Sequence, residues 1–111
     1  MRHIGILKDK TITFVKYDGP GYIKDVLMKY YRTLEKIEEL ISKGEILEIN
    51  EDGSLLLPEN PSGPYQTDSL DEFDEGYENF LFNCDKGSWT QFYTNYSYSG
   101  EVSRRKLTLY V

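Results

Sequence analysis

The chain is poor in the residues that most small enzymes rely on. It holds one cysteine, Cys84, and one histidine, His3, in 111 residues. A lone thiol forms no internal disulfide, which points to a reducing cytoplasm. It also has no partner thiol at metal-binding spacing, so a zinc site is not expected and Cys84 reads as a half-buried strand residue. With a single histidine, any Ser-His-Asp or Cys-His arrangement must use His3, which stands near the chain start and reads as a surface or strand-end residue. Gly19 and Gly21 form a G-x-G without the third glycine of a dinucleotide fingerprint, and no phosphate-cradling GxxxxGK[ST] occurs. Apolar runs are too short to span a membrane, and Met1 to Lys8 lacks the long apolar core of a signal peptide. Cations are scarce as well: 13 Lys and Arg face 19 Asp and Glu, a net charge of −6. That balance excludes a general nucleic-acid binder and an anionic membrane as partner, and suits a basic protein partner.

What is present is enough apolar chain for one modest core, so residues 1–111 read as a single domain. Ten tyrosines and five phenylalanines argue against disorder and for aromatic-rich strands. His3 to Leu7 and Thr11 to Tyr17 read as strands joined by Lys8-Asp9-Lys10, the second covered on both faces. Asp18-Gly19-Pro20-Gly21 then breaks the strand. Ile23, Val26, Leu27, Tyr30 and Tyr31 recur at helical spacing. Thr33 caps a second helical segment, Leu34 to Lys43, with Ile37, Leu40 and Ile41 inward and Gly44 as its stop. Glu45 to Ile49 and Ser54 to Leu57 flank an Asp-Gly turn, a hairpin signal. Pro58 to Gln66 reads as a loop. Ser69 and Glu72 match a capping box for a short helix ending by Gly76. Tyr77 to Asn83 and Ser88 to Tyr93 read as a hairpin with Phe80, Phe82 and Trp89 in the core. Thr94 to Ser103 is polar and carries no clear pattern, and Lys106 to Val111 is strand-like. The fold expected is α+β: a mostly antiparallel sheet with one or two helices, about residues 22–43, packed on one face.

Two charge clusters are candidate sites. Asp68, Asp71, Glu72, Asp74, Glu75 and Glu78 form an acidic segment without an intervening Lys or Arg. It reads as a solvated helix face with capping carboxylates, or as a phosphate mimic that occupies a basic groove. Its spacing does not fit a calcium loop. Arg104-Arg105-Lys106 is the basic cluster. It either balances the acidic segment, lies on an edge strand, or holds a phosphate-bearing ligand beside tyrosines or Trp89. Asp18 and Tyr22 flank the Gly/Pro corner and complete the list of candidate ligand-facing residues.

The quoted corner Tyr17-Asp18-Gly19-Pro20-Gly21, the junction Tyr31-Arg32-Thr33-Leu34-Glu35-Lys36 and the Gly44-Glu45 pair resemble small phage and prophage proteins. So do Leu70-Asp71-Glu72, Tyr77, Phe80-Leu81-Phe82 and Trp89, with Leu34 standing where that group has proline and Pro20-Gly21 where it has an aromatic-Pro. The group carries no established activity, so the resemblance implies a setting, the cytoplasm of a bacterial host, and an anti-CRISPR-like role by association. The expectation is a non-enzymatic inhibitor that binds a host defence protein with a basic groove, such as an RNA-guided nuclease, through acidic nucleic-acid mimicry. The alternatives are a sponge for a nucleotide second messenger and a self-assembling structural or regulatory module, a homodimer included. A small hydrolase or transferase would have only carboxylates and tyrosines to work with. Neither cofactor nor metal, and no direct contact with nucleic acid or membrane, is expected.

Overall fold

A computed structural model describes residues 2–18, 22–75, 77–96, 99–100 and 102–109. Strand β1 (Arg2–Lys8) and strand β2 (Thr11–Tyr17) form the expected hairpin, closed by Asp9 and Lys10. Both turn residues are left-handed, with φ of 51° and 67°. Two consecutive positive φ values are what a two-residue hairpin loop needs to match the twist of its strands.

Helices α1 (Ile23–Tyr30) and α2 (Leu34–Ser42) follow. They are separate because Thr33 is extended and its Oγ1 accepts a bond from the Lys36 amide at 3.3 Å. Ile23, Val26, Leu27, Ile37, Leu40 and Ile41 are buried against Ile4, Ile6, Val15, Phe80 and Phe82 on one face of the sheet. Gly44, at φ +80°, ends the segment. The hairpin expected over residues 45–57 is shorter, with β3 (Glu48–Ile49) paired to β4 (Leu55–Leu56). Ile46 is withdrawn from it, because its amide donates to Lys16 and its carbonyl accepts from Asp18, bridging to β2.

The loop expected through Gln66 also ends early. Strand β5 (Tyr65–Thr67) pairs with Ile12–Phe14. Pro58, Pro61 and Pro64 all precede it, so every residue of β5 keeps its amide, and the Tyr65 ring packs 5.7 Å from Phe14. Helix α3 (Leu70–Phe73) is capped by Ser69, whose hydroxyl accepts from the Glu72 amide at 3.2 Å. The reciprocal arm of the capping box is relayed: Thr67 Oγ1 accepts from the Ser69 amide and donates to Glu72 Oε2. The expected stop at Gly76 lies outside the described residues.

Strands β6 (Glu78–Asn83), β7 (Ser88–Tyr96) and β8 (Val102–Leu109) complete a six-stranded sheet in the order β5-β2-β1-β6-β7-β8. All neighbours are antiparallel except β1 and β6, which run parallel. The fold is α+β, as the residue patterns imply. The core has two sides. Trp89 is fully buried on the α1–α2 side, where its indole N–H donates to the Tyr31 carbonyl at 3.0 Å, a group left without a partner at the end of α1. The opposite face holds Ile12, Phe14, Phe73, Leu81 and Phe92, so a helix covers this face too, through one residue, Phe73 of α3. Gly5 makes room for it: a Cβ there would sit 2.9 Å from both Phe14 Cβ and the Phe73 ring.

Candidate functional site

Helix α3 is four residues long and leaves a groove open beside it on its sheet face. Strands β1 and β6 are parallel, so the β1–β2 turn and the β6–β7 turn both lie at the same end of the sheet, the end that α3 leaves uncovered. There Leu7, Ile12, Leu81 and Phe92 floor a groove of about 550 Å³. This is within the size range of sites that hold small molecules. Leu70, 46% exposed, contributes to its lining. Lys10 from the first turn, Lys86 from the second and Lys106 from β8 line it as well, against one carboxylate, Asp68. Among the described residues none of these lysines has an ion-pair partner. A locally cationic, apolar-floored groove in a chain of net charge −6 is the feature of this molecule best suited to holding an anion.

Lys10 is held there at an energetic cost. Its φ of 67° lies in the left-handed region, which disfavours a residue with a Cβ by about 1 kcal/mol or more. Replacing Lys10 with Gly removes that strain but lengthens the list of conformations open to the unfolded chain. We expect a net stabilisation of about 0.5–1 kcal/mol, read as a higher thermal midpoint, together with anion affinity lowered several-fold. Unchanged affinity would remove Lys10 from the site.

The structure divides the six acidic candidates into two groups. Glu72 accepts from Thr67 at 2.7 Å. Asp74 accepts from Asn79 Nδ2 at 2.8 Å and is ion-paired with Arg104. Glu78 accepts from Gln91 at 3.1 Å and from the Tyr17 hydroxyl at 3.3 Å. Burial, with the Glu78 carboxylate beside it, pushes the Tyr17 phenol far above its ordinary range. Asp68, Asp71 and Glu75 are exposed, and among the described residues their carboxylates make no such bond.

The basic cluster is divided as well. Arg104 is a clamp: it pairs with Asp74 and donates to the Tyr77 carbonyl and Thr94 Oγ1 at 2.8 and 2.9 Å. Arg105, exposed, alternates to the other face of β8, and Lys106 reaches the groove. Both structural expectations for this cluster hold, since β8 is an edge strand and Arg104 balances part of the acidic segment. Trp89, with no exposed surface, is not a stacking platform in this structure.

Compared with known protein families, curated proteins and solved structures, the chain matches none.

Asp18 is exposed at the end of β2, and the corner beside it, residues 19–21, lies outside the described residues. Tyr22 is half-buried against the helical core; desolvation, then Glu51, Glu48 and Asp52, raise its phenol above the usual value. Neither residue lines the groove. His3 is buried, not a surface residue, because β1 is an inner strand flanked from its first residues by β2 and β6. Its Nδ1–H donates to the Phe73 carbonyl at 2.7 Å and its amide to Asn79 Oδ1 at 2.9 Å, which ties α3 to the sheet. Burial pushes the Cys84 thiol up, away from the thiolate form a nucleophile needs. Among the described residues no group of three or more His, Cys, Asp or Glu is placed to hold a metal, and no helix is long and apolar enough to cross a membrane. Lys10 and Lys86, the rim residues that residue patterns do not single out, were visible only as turn residues.

Proposed function

We propose that this is a non-enzymatic binding protein that sequesters a small phosphorylated ligand, a nucleotide, in the groove beside α3. The observation that carries this reading is the convergence of Lys10, Lys86 and Lys106 on an apolar floor. Lysine ammonium groups serve phosphate as point charges. Leu7, Ile12, Leu81 and Phe92 give a base an apolar floor, and Ser88, Thr90 and Thr108 bring hydroxyls for a sugar or phosphate oxygen. Set beside the resemblance to phage proteins, the role is a sponge that lowers the free concentration of a nucleotide messenger in a bacterial host. Calorimetry with cyclic mononucleotides, cyclic dinucleotides and ADP-ribose derivatives tests it. The expected result is saturable heat from at least one of them, weakened at high salt because exposed charges are screened. No heat from the whole panel overturns it.

A second reading, inhibition of a nucleic-acid-binding defence protein by acidic mimicry, is supported by the exposed carboxylates of Asp68, Asp71 and Glu75 around α3. Glu72 and Asp74 are unsuitable for its test because they hold α3 in place. Asp68, Asp71 and Glu75 changed together to Ser should abolish salt-sensitive capture of an RNA-guided nuclease while the fold persists. Equal capture by parent and variant removes the mimicry.

A further inference from the structure

The sheet ends in two unequal edges. On one side β5 is three residues long; on the other β8 runs for eight, Val102–Leu109, and among the described residues no strand lies beyond it. A long edge carries a row of backbone amides and carbonyls facing away from the sheet, which is a template for another strand. Its side chains are mostly solvated. Val102 is 61% exposed and Leu107 42%.

Both faces beside this edge are hollowed. On one lies the groove, to which β8 contributes Lys106 and Thr108. On the other, next to Leu107, a shallow cavity of about 270 Å³ is lined by Tyr77, Glu78, Gln91 and Tyr93. An edge with cavities on alternate faces is the arrangement that strand-adding recognition uses, in which backbone bonds give affinity and alternate side chains give specificity. The charge on β8 then selects the occupant. Of its cations, Arg104 is already paired with Asp74, which leaves Arg105 and Lys106 to face a partner, and the strand holds no Asp or Glu. A second copy of β8 pairing antiparallel would set cation against cation, which is destabilising across a strand pair. A carboxylate-bearing strand meets the opposite condition.

We infer that β8 is a docking edge for an acidic, extended segment of a partner protein, added to the sheet as a seventh strand. This does not rest on nucleotide capture, and the two are separable. Arg105 lies on the face away from the groove, and Lys86 lies off the edge strand.

The experiment uses the intact protein labelled for amide resonances and two synthetic eight-residue peptides, one alternating Val with Glu and one alternating Val with Lys. The expected result is that the Val–Glu peptide binds, shifts amides of residues 102–109 and slows their hydrogen exchange, while the Val–Lys peptide does neither. Arg105→Glu should weaken Val–Glu binding about tenfold or more, since it replaces attraction with like-charge repulsion, and leave the groove's nucleotide heat unchanged. Lys86→Gln should do the reverse. Binding of neither peptide, equal binding of both, insensitivity to Arg105→Glu, or self-association through residues 102–109 in the absence of peptide each overturns the assignment.

Discussion

Replacing Phe73 with Ala should lower stability by about 3–5 kcal/mol, the usual cost of emptying a buried phenylalanine site. Phe73 has no exposed surface. Its ring stands edge-on to Phe14 at 5.7 Å and to Phe92 at 6.4 Å, and the Gly5 backbone passes beneath it with no side chain between. Each edge-to-face pair adds to the loss from area alone. The site has little means of collapsing onto the void, because its neighbours belong to the inner strands β1, β2 and the paired strand β7. A domain of this size has of order 5–15 kcal/mol to lose in total, so the variant should remain folded but with a much lower urea midpoint and an unchanged slope. Helix α3 should suffer most. Four residues cannot sustain a helix alone, and with the ring gone it rests on the Ser69 cap and the bonds from His3, Thr67, Asn79 and Arg104. Leu70→Ala is the control on the same helix. Leu70 is half exposed, so stability should move by no more than about 0.5 kcal/mol. A loss below about 1 kcal/mol for Phe73→Ala would mean that α3 is held by its polar bonds and not by its ring.

The sequence makes the local decisions of this fold legible and leaves the long-range ones hidden. Thr33 announces the helix break because a β-region hydroxyl at that position satisfies the Lys36 amide whatever lies elsewhere. Ser69 announces α3 in the same way. The parallel pairing of β1 with β6 has no such local mark, since alternation along a strand is identical for either direction of its neighbour. That one pairing decides much else. It makes β1 an inner strand, so His3 is buried although it stands near the chain start. It brings the turns holding Lys10 and Lys86 to one end of the sheet although 76 positions separate them in the chain. The acidic segment shows the converse limit. Composition reveals six carboxylates, but not that Asp74 answers Arg104 thirty residues on, nor that Glu78 answers Tyr17 from the far side of β1. Charge in a sequence counts groups; only packing says which of them still face water.

Changing Lys10, Lys86 and Lys106 together to Gln should lower affinity for a nucleotide about a hundredfold or more, with little change in thermal midpoint. The three side chains are exposed and lie in turns and on an edge strand, positions where substitution usually moves stability little. Each ammonium lost removes one charge-assisted contact to phosphate, and three modest losses compound to about two decades in the dissociation constant. The variant also makes the chain three charges more negative, which by itself repels an anion. Lys29, Lys36 and Lys43 changed to Gln provide the comparison, since they are exposed on the helices and change the net charge equally. If the two triple variants lose affinity alike, the effect is the field of the whole molecule and the groove is not the site. If only the groove variant loses it, and its remaining affinity no longer falls with salt, the contacts are local. That outcome fits the architecture: a mostly acidic surface repels anions at large, and the lysines around this apolar floor make a place where an anion with an apolar body can settle.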